Sequence, residues 1–267
     1  KEEASEMEEA AVEETEILKI PVASPFTGQL ATFGEPVKRG AMLKAEEINE
    51  AGGVNGAQVE IVLGDELCDP KEAANVATKF ASDPDMYIVV GHLCSSATMA
   101  ALPIYRDAEL PAISPASTNP RIGQMSPYYF RNVYKDDFQG TFLARYASEV
   151  KGWSRIAIFY ETNDYSIGLK DAFIKEAVRQ GANILGEEAY TNETTDFKAQ
   201  LTKFRAMKPD AIFIPGYAPQ AKLIVAQAAV LMLEAEQTSA LLALGLLVFI
   251  CLPKLFPSVL LSLPIIM

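Results

Sequence analysis

Residues 91–98 read GHLCSSAT and hold His92, the only histidine of the chain, beside Cys94. A histidine near a cysteine suggests a nucleophile with its base, or a metal site. Neither holds up well here. A cysteine nucleophile needs a histidine brought in from elsewhere in the chain, and no second histidine exists to serve Cys94 as a base. Cys68, His92 and Cys94 lack a zinc spacing. Pairing of Cys68 with Cys94 suits the pattern better, because both follow neighbouring apolar runs, in GDELCDP and GHLCSS. Two buried thiols remain the alternative in a reducing compartment. The hydroxyls of Ser95, Ser96 and Thr98 suit a helix start, where free N–H groups and the positive dipole end would accept an anion such as a carboxylate. A second loop, SPASTN at 114–119, offers carbonyls and the Thr118 hydroxyl, which suit an ammonium group. The plainer alternative is that these hydroxyls only cap helices.

The elements that must position these loops alternate strand and helix. Apolar runs at 17–23, 58–65, 86–90, 111–114, 155–161, 182–190 and 211–217 read as strands. Between them, helical spacing appears at 35–51, with Gly52-Gly53 as its stop, and after Asp69-Pro70, an N-cap followed by proline at the first helical position. It recurs at 97–107, 165–181 and beyond 219, and Phe138, Phe142, Tyr146 and Val150 share one helix face. Such alternation predicts an α/β protein with parallel sheets, in two blocks at 17–134 and 135–252 joined through 128–140. Ligands of open parallel sheets sit beyond the carboxyl ends of the strands, where both loops fall. Tyr165 and Tyr217 follow strands of the second block and could close over a ligand held by the first; rim packing is the alternative.

Composition limits the functions available. The 267 residues carry 35 acids against 23 bases, a net charge of -12, which argues against nucleic acid as a partner. Residues 1–16 hold eight Glu and one Lys and read as an acidic disordered tether. GGVNG (52–56) precedes a strand, so it is a turn and not a dinucleotide fingerprint, and no Gly-x-Ser-x-Gly elbow is present. No cofactor, no metal and no catalytic residue are expected. The chain begins with Lys1, as a processed exported protein or a trimmed one would.

GDELCDPKEAANVATKF, GHLCSSAT, AISPASTNP, YETNDYSIGL and PGYAPQAK together resemble the leucine/isoleucine/valine-binding proteins, type I solute receptors of ABC transporters. The resemblance runs from about Ile17 to Gln227. It implies a type I periplasmic-binding-protein fold, two Rossmann-like lobes with parallel sheets joined by a hinge, an amino acid in the cleft between them, and closure upon it. It implies Ser95 and nearby N–H groups for the ligand carboxylate, Ala116 (through its carbonyl) and Thr118 for the ammonium, and Tyr165 and Tyr217 closing from the second lobe. Phe33, Leu93 and Cys94 would line the pocket, and the Cys68–Cys94 bridge matches the family pattern. A monomeric, exported protein serving an ABC permease follows, with a ligand-sensing receptor ectodomain as the alternative on the same fold.

After KLIVAQA the pattern changes to AVLMLEAEQTSALLALGLLVFICLPKLFPSVLLSLPIIM, so the C-terminal lobe is expected to be incomplete and 253–267 an atypical apolar tail. The second-lobe carboxylate that pairs with the ligand ammonium in the family has no counterpart in motif; Glu234 and Glu236 lie in none. A chain truncated or shifted in frame explains the break best. A strand at LLVFICL is a second reading. A membrane anchor is a third, but the 13-residue apolar run at 240–252 falls short of the ~20 residues that span a bilayer, so no stable span is expected.

Overall fold

The computed structural model describes residues 16–233, 240–244 and 247–251. Of the tether expected at 1–16, residues 1–15 lie outside the described residues, as do the tail at 253–267 and Glu234 and Glu236.

The first lobe runs β1 (Ile17–Ser24), α1 (Ala31–Glu50), β2 (Gln58–Asp65), α2 (Pro70–Ala81), β3 (Val89–Val90), α3 (Ser95–Asp107), β4 (Ala112–Ser114), a 3-10 turn (Pro120–Gln124) and β5 (Tyr129–Arg131). Its sheet has the order β2-β1-β3-β4-β5, every pair parallel, with Val22 opposite Val90 and Val89 opposite Ala112. The second lobe runs α4 (Asp136–Arg145), a π-helical turn (Tyr146–Val150), β6 (Arg155–Glu161), α5 (Asp164–Arg179), β7 (Asn183–Tyr190), α6 (Lys198–Met207), β8 (Ala211–Pro215), α7 (Ala218–Leu233), β9 (Ala240–Leu244) and β10 (Leu247–Cys251).

Local chemistry sets these elements. Asp69 Oδ1 accepts the N–H groups of Lys71 and Glu72 at 2.8 and 3.0 Å, with Pro70 at the first position of α2, the arrangement its sequence predicts. Along β6, Ile156 and Ile158 face a core with Leu169, Phe173 and Phe213, while Ala157 and Phe159 face another with Phe197, Phe204 and Ile224. Both faces of the strand are covered, as strand alternation inside a doubly covered sheet demands. The first lobe centres on Phe80, Val89, Leu102, Tyr105 and Ile122.

Three expectations change. The second sheet, β7-β6-β8-β10-β9, is parallel only as far as β8; β10 pairs antiparallel to β8, Leu247 opposite Pro215, and β9 antiparallel to β10. LVFIC is thus a strand that follows two residues after β9, a separation that gives an antiparallel pair, and it inserts between β9 and β8, while α7 separates β8 from β9 in the chain. Second, part of the expected crossover, residues 129–131, is the edge strand of the first sheet. Third, the stripe Phe138, Phe142 and Val150 is exposed, and α4 buries Gly140, Leu143 and Ala144 instead. A Cβ on Gly140 would lie 2.7 Å from Ala172 Cβ and from Phe173 N, so α4 meets α5 through its smallest residue and the aromatic face turns outward. Among the described residues no helix is long and apolar enough to cross a membrane.

Candidate functional site in the interlobe cleft

Each sheet reverses its winding beside its first strand, between β1 and β3 in one lobe and between β6 and β8 in the other. The loops leaving these strands face one another, the position where open α/β sheets hold ligands. They enclose a cleft of about 480 Å3. The first lobe contributes Gln29, Leu30, Cys68, Cys94 and Ser96, and the second Glu161, Asn163, Asp164, Tyr217 and Gln220, among others.

The lobes touch through named bonds. Ser96 Oγ accepts the backbone N–H of Asp164 at 3.0 Å, Asn119 Nδ2 donates to the Asp164 carbonyl at 2.7 Å, and Gln220 Nε2 donates to Gln29 Oε1 at 3.2 Å. Tyr217, like Leu30, Cys68 and Leu93, packs against the buried first-lobe cluster of Ala73, Cys94 and Ala97. Its ring stacks on Tyr165 with centroids 5.4 Å apart. Burial raises the pKa of both phenols, so they are neutral hydrogen-bonding groups at any physiological pH.

His92 serves structure. Its Nδ1 lies 2.9 Å from Glu66 Oε2 and its Nε2 2.9 Å from the Tyr105 hydroxyl, all three groups being fully buried. Its carbonyl accepts Ser114 Oγ at 2.6 Å, Ser117 Oγ at 3.1 Å and Thr98 Oγ1 at 3.3 Å. This hub ties loop 91–94 to loop 114–119 and sets the start of α3. Cys94 is bonded to Cys68, with Cα atoms 5.4 Å apart, inside the range a disulfide needs. Glu66 and these two sulfurs cluster, but the bridge consumes both thiols and leaves one carboxylate as donor, which does not make a metal site.

Of the residues singled out in the sequence, Cys68, Cys94, Ser96 and Tyr217 line the cleft. Ser95 is buried at the first position of α3, where its Oγ accepts the Asn119 N–H at 3.3 Å. Thr118 is buried next to that contact, and Ala116 is half-buried on the same loop. Leu93 packs against the same Ala73–Cys94–Ala97 cluster as Tyr217, and Tyr165 is buried with its ring stacked on Tyr217. Phe33 stands apart, half-buried in the first turn of α1 and outside the cleft lining.

Sequence reasoning named Ser96 only as a helix-start hydroxyl and missed Asn119, Gln29 and Gln220; all four join the lobes. It also missed Glu161. This carboxylate is 4% exposed, its Oε2 accepts the Tyr217 N–H at 3.0 Å, and burial raises its pKa against the opposing effect of that bond and of Asn163. Its signal was available: an acid at the carboxyl end of the apolar run RIAIFYE. Gly216 keeps room for it, since a Cβ there would lie 2.0 Å from the Tyr190 hydroxyl and 3.4 Å from Glu161 Oε2.

The sequence profile described as periplasmic binding protein matches residues 17–246. The chain belongs to this family. Among periplasmic binding proteins it is 37% identical over 209 residues to an amino acid binding protein of Pseudomonas aeruginosa, covering 78% of this chain and 56% of that one. It is 36% identical over 220 residues to the leucine-, isoleucine-, valine-, threonine- and alanine-binding protein of the same organism, covering 79% and 57%. A branched-chain amino acid transporter substrate-binding protein of Streptococcus pneumoniae, solved in complex with isoleucine, superposes with a TM-score of 0.75 at 33% identity, covering 81% of this chain and 62% of that one. The chain therefore spans 56–57% of the length of these two curated relatives, and as a periplasmic binding protein it carries the two-lobed α/β fold expected of it, with the C-terminal part incomplete.

Proposed function

We propose that the chain captures an amino acid with a small aliphatic side chain in its interlobe cleft and, outside the cytoplasm, hands it to the permease of an ABC importer. The relatives named above bind amino acids of this kind by their printed names, and the shared fold supports carrying that role over.

The observation that carries the reading is the convergence of three features. Ser95 opens α3, whose first N–H groups suit a carboxylate. The Ala116–Thr118 loop, with its carbonyl and hydroxyl, is bonded to Ser95 through Asn119. The stacked Tyr165–Tyr217 pair covers the opposite side. In this reading Ser95 takes the carboxylate, the Ala116 carbonyl and Thr118 take the ammonium, and the tyrosines close the cleft, while Leu93 and Cys94 supply apolar wall. Phe33 keeps a place beside the aliphatic side chain only if the cleft extends toward α1. No bond is made or broken, so no catalytic group is required.

Isothermal calorimetry with leucine, isoleucine, valine and alanine tests the reading. Saturable heat from at least one of them is the expected result, weakened in Ser95→Ala. Absence of heat from all four defeats the ligand assignment.

A further inference from the structure

We infer that Glu161 is a positioning residue for ligand capture: its carboxylate holds the Tyr217 backbone and so aims the Tyr217 ring at the first lobe while a ligand is enclosed. The inference rests on the amino-acid reading above and deepens it, because that reading uses the ring without saying what aims it.

Tyr217 needs such a hold. It stands between the end of β8 at Pro215 and the start of α7 at Ala218, with only Gly216 between it and the strand. Its ring packs against the first-lobe cluster of Ala73, Cys94 and Ala97 and stacks on Tyr165 of its own lobe. A ring that reaches across a cleft loses its far wall whenever the lobes part, so its direction depends on its own backbone. That backbone is held at both polar groups. The Tyr217 carbonyl accepts the Ala221 N–H at 3.1 Å, and the Tyr217 N–H donates to Glu161 Oε2 at 3.0 Å.

Glu161 is built to be that acceptor. It ends β6, which pairs with β8, so the two chain ends leave one sheet side by side. Gly216 lets them come close, since a Cβ there would meet the Tyr190 hydroxyl and reach Glu161 Oε2. The neighbouring acceptor, Asn163 Oδ1, cannot stand in, because it takes the Ser166 N–H at 2.8 Å. From α5 and β7, Tyr165 and Tyr190 feel the charge of Glu161, but burial keeps both phenols neutral.

The placement of the carboxylate ties the hold to ligand capture. Glu161 belongs to the cleft lining and yet is 4% exposed. A hydrogen bond to a carboxylate is roughly twice as strong as one to a neutral oxygen, and it strengthens where water is excluded. Closure over a ligand expels water from the cleft that Glu161 lines, so its grip on Tyr217 tightens as the ring is needed.

The test is leucine binding to the whole chain, at equilibrium by calorimetry and in time by stopped-flow fluorescence. Glu161→Ala removes the acceptor, and Glu161→Gln keeps an oxygen in its place. Glu161→Ala should bind leucine about tenfold more weakly, through faster dissociation with little change in association, because encounter with an open cleft does not use the ring. Glu161→Gln should recover most of that loss. The Tyr217 amide proton, followed by NMR in labelled protein, should move upfield in Glu161→Ala. If Glu161→Ala fails to melt cooperatively, Glu161→Asp, whose oxygens stop a methylene short of the N–H, replaces it with the same expectation. A dissociation rate like the parent's, or a loss in Glu161→Gln as large as in Glu161→Ala, overturns the role of Glu161 and leaves the amino-acid reading intact. No binding of leucine, isoleucine, valine or alanine to the unchanged chain overturns both.

Discussion

Ser96 of the first lobe accepts the backbone N–H of Asp164 of the second at 3.0 Å, and Asn119 Nδ2 donates to the carbonyl of the same residue at 2.7 Å. One residue at the start of α5 is thus gripped at both its backbone polar groups by the opposite lobe. These bonds exist only when the lobes meet.

Ser96→Ala should therefore favour the open form. Removing one such bond costs about 1 kcal/mol, so ligand affinity should fall about fivefold. Small-angle scattering should show a larger radius of gyration without ligand. An unchanged radius and affinity would deny the contact any role in closure. Asn119→Ala is a less clean variant, because Asn119 Oδ1 also caps the 3-10 turn through the Arg121 N–H.

The disulfide closes a loop of 26 residues between the segments that follow β2 and β3. Constraint of the unfolded chain by a loop of that size is worth roughly 3.5 kcal/mol. The double variant Cys68→Ser, Cys94→Ser should melt on the order of 10 °C lower than the oxidised protein. Reductant should lower the melting temperature of the oxidised protein and leave the variant unmoved.

Asp136 sets a pH dependence with a definite sign. Its folded pKa of about 7 lies above the ordinary carboxyl value near ~3.9. Below about pH 4 both states are protonated and the group contributes nothing. Between about pH 4 and 7 the folded state holds a proton the unfolded state has released, so stability falls as pH rises, by on the order of 4 kcal/mol in total. Glu161, also raised by burial, acts in the same direction. Glu176, held down by Arg179 and Arg145, has the opposite slope, confined below its ordinary carboxyl range. Denaturant unfolding of the ligand-free protein at several pH values should show the decline, and Asp136→Asn should flatten it. A variant with the parent's slope would place the titration elsewhere.

His92→Ala should cost about 3 kcal/mol or more, because it strands the Glu66 carboxylate and the Tyr105 hydroxyl in the core. It also opens a cavity under loop 91–94. Chemical denaturation measures it. A loss under about 1 kcal/mol would mean that the buried network contributes little to the fold.

Much of this architecture is legible in the sequence. Alternating runs located the strands through β8 except β5, which was read as part of the crossover, the Asp69-Pro70 pair located α2, and GHLCSSAT located a strand-to-helix loop. The limits have physical causes. Phe138 and Phe142 have helical spacing, yet periodicity cannot tell which face meets a neighbour, and Gly140 decided that against them. LVFIC reads as a strand in any direction, because its pairing partner and the length of its return lie outside the local pattern. At the site, Ser95 and Thr118 stand out by type and loop position. Asn119 and Ser96 matter because of a residue in the other lobe, which one-dimensional reading cannot pair with them.

Among the described residues the chain passes between the lobes once, through residues 132–135, and each side of that passage has its own buried clusters. Such a layout is divisible. Two separately produced polypeptides, one ending before Asn132 and the other starting after Val133, would each retain one of the two described sheets. Their reunion would then depend on contacts between the lobes, the hydrogen bonds of Ser96, Asn119 and Gln220, the Asp136 N–H on the Thr118 carbonyl and the packing of Tyr217, which would make the halves a complementing pair of fragments.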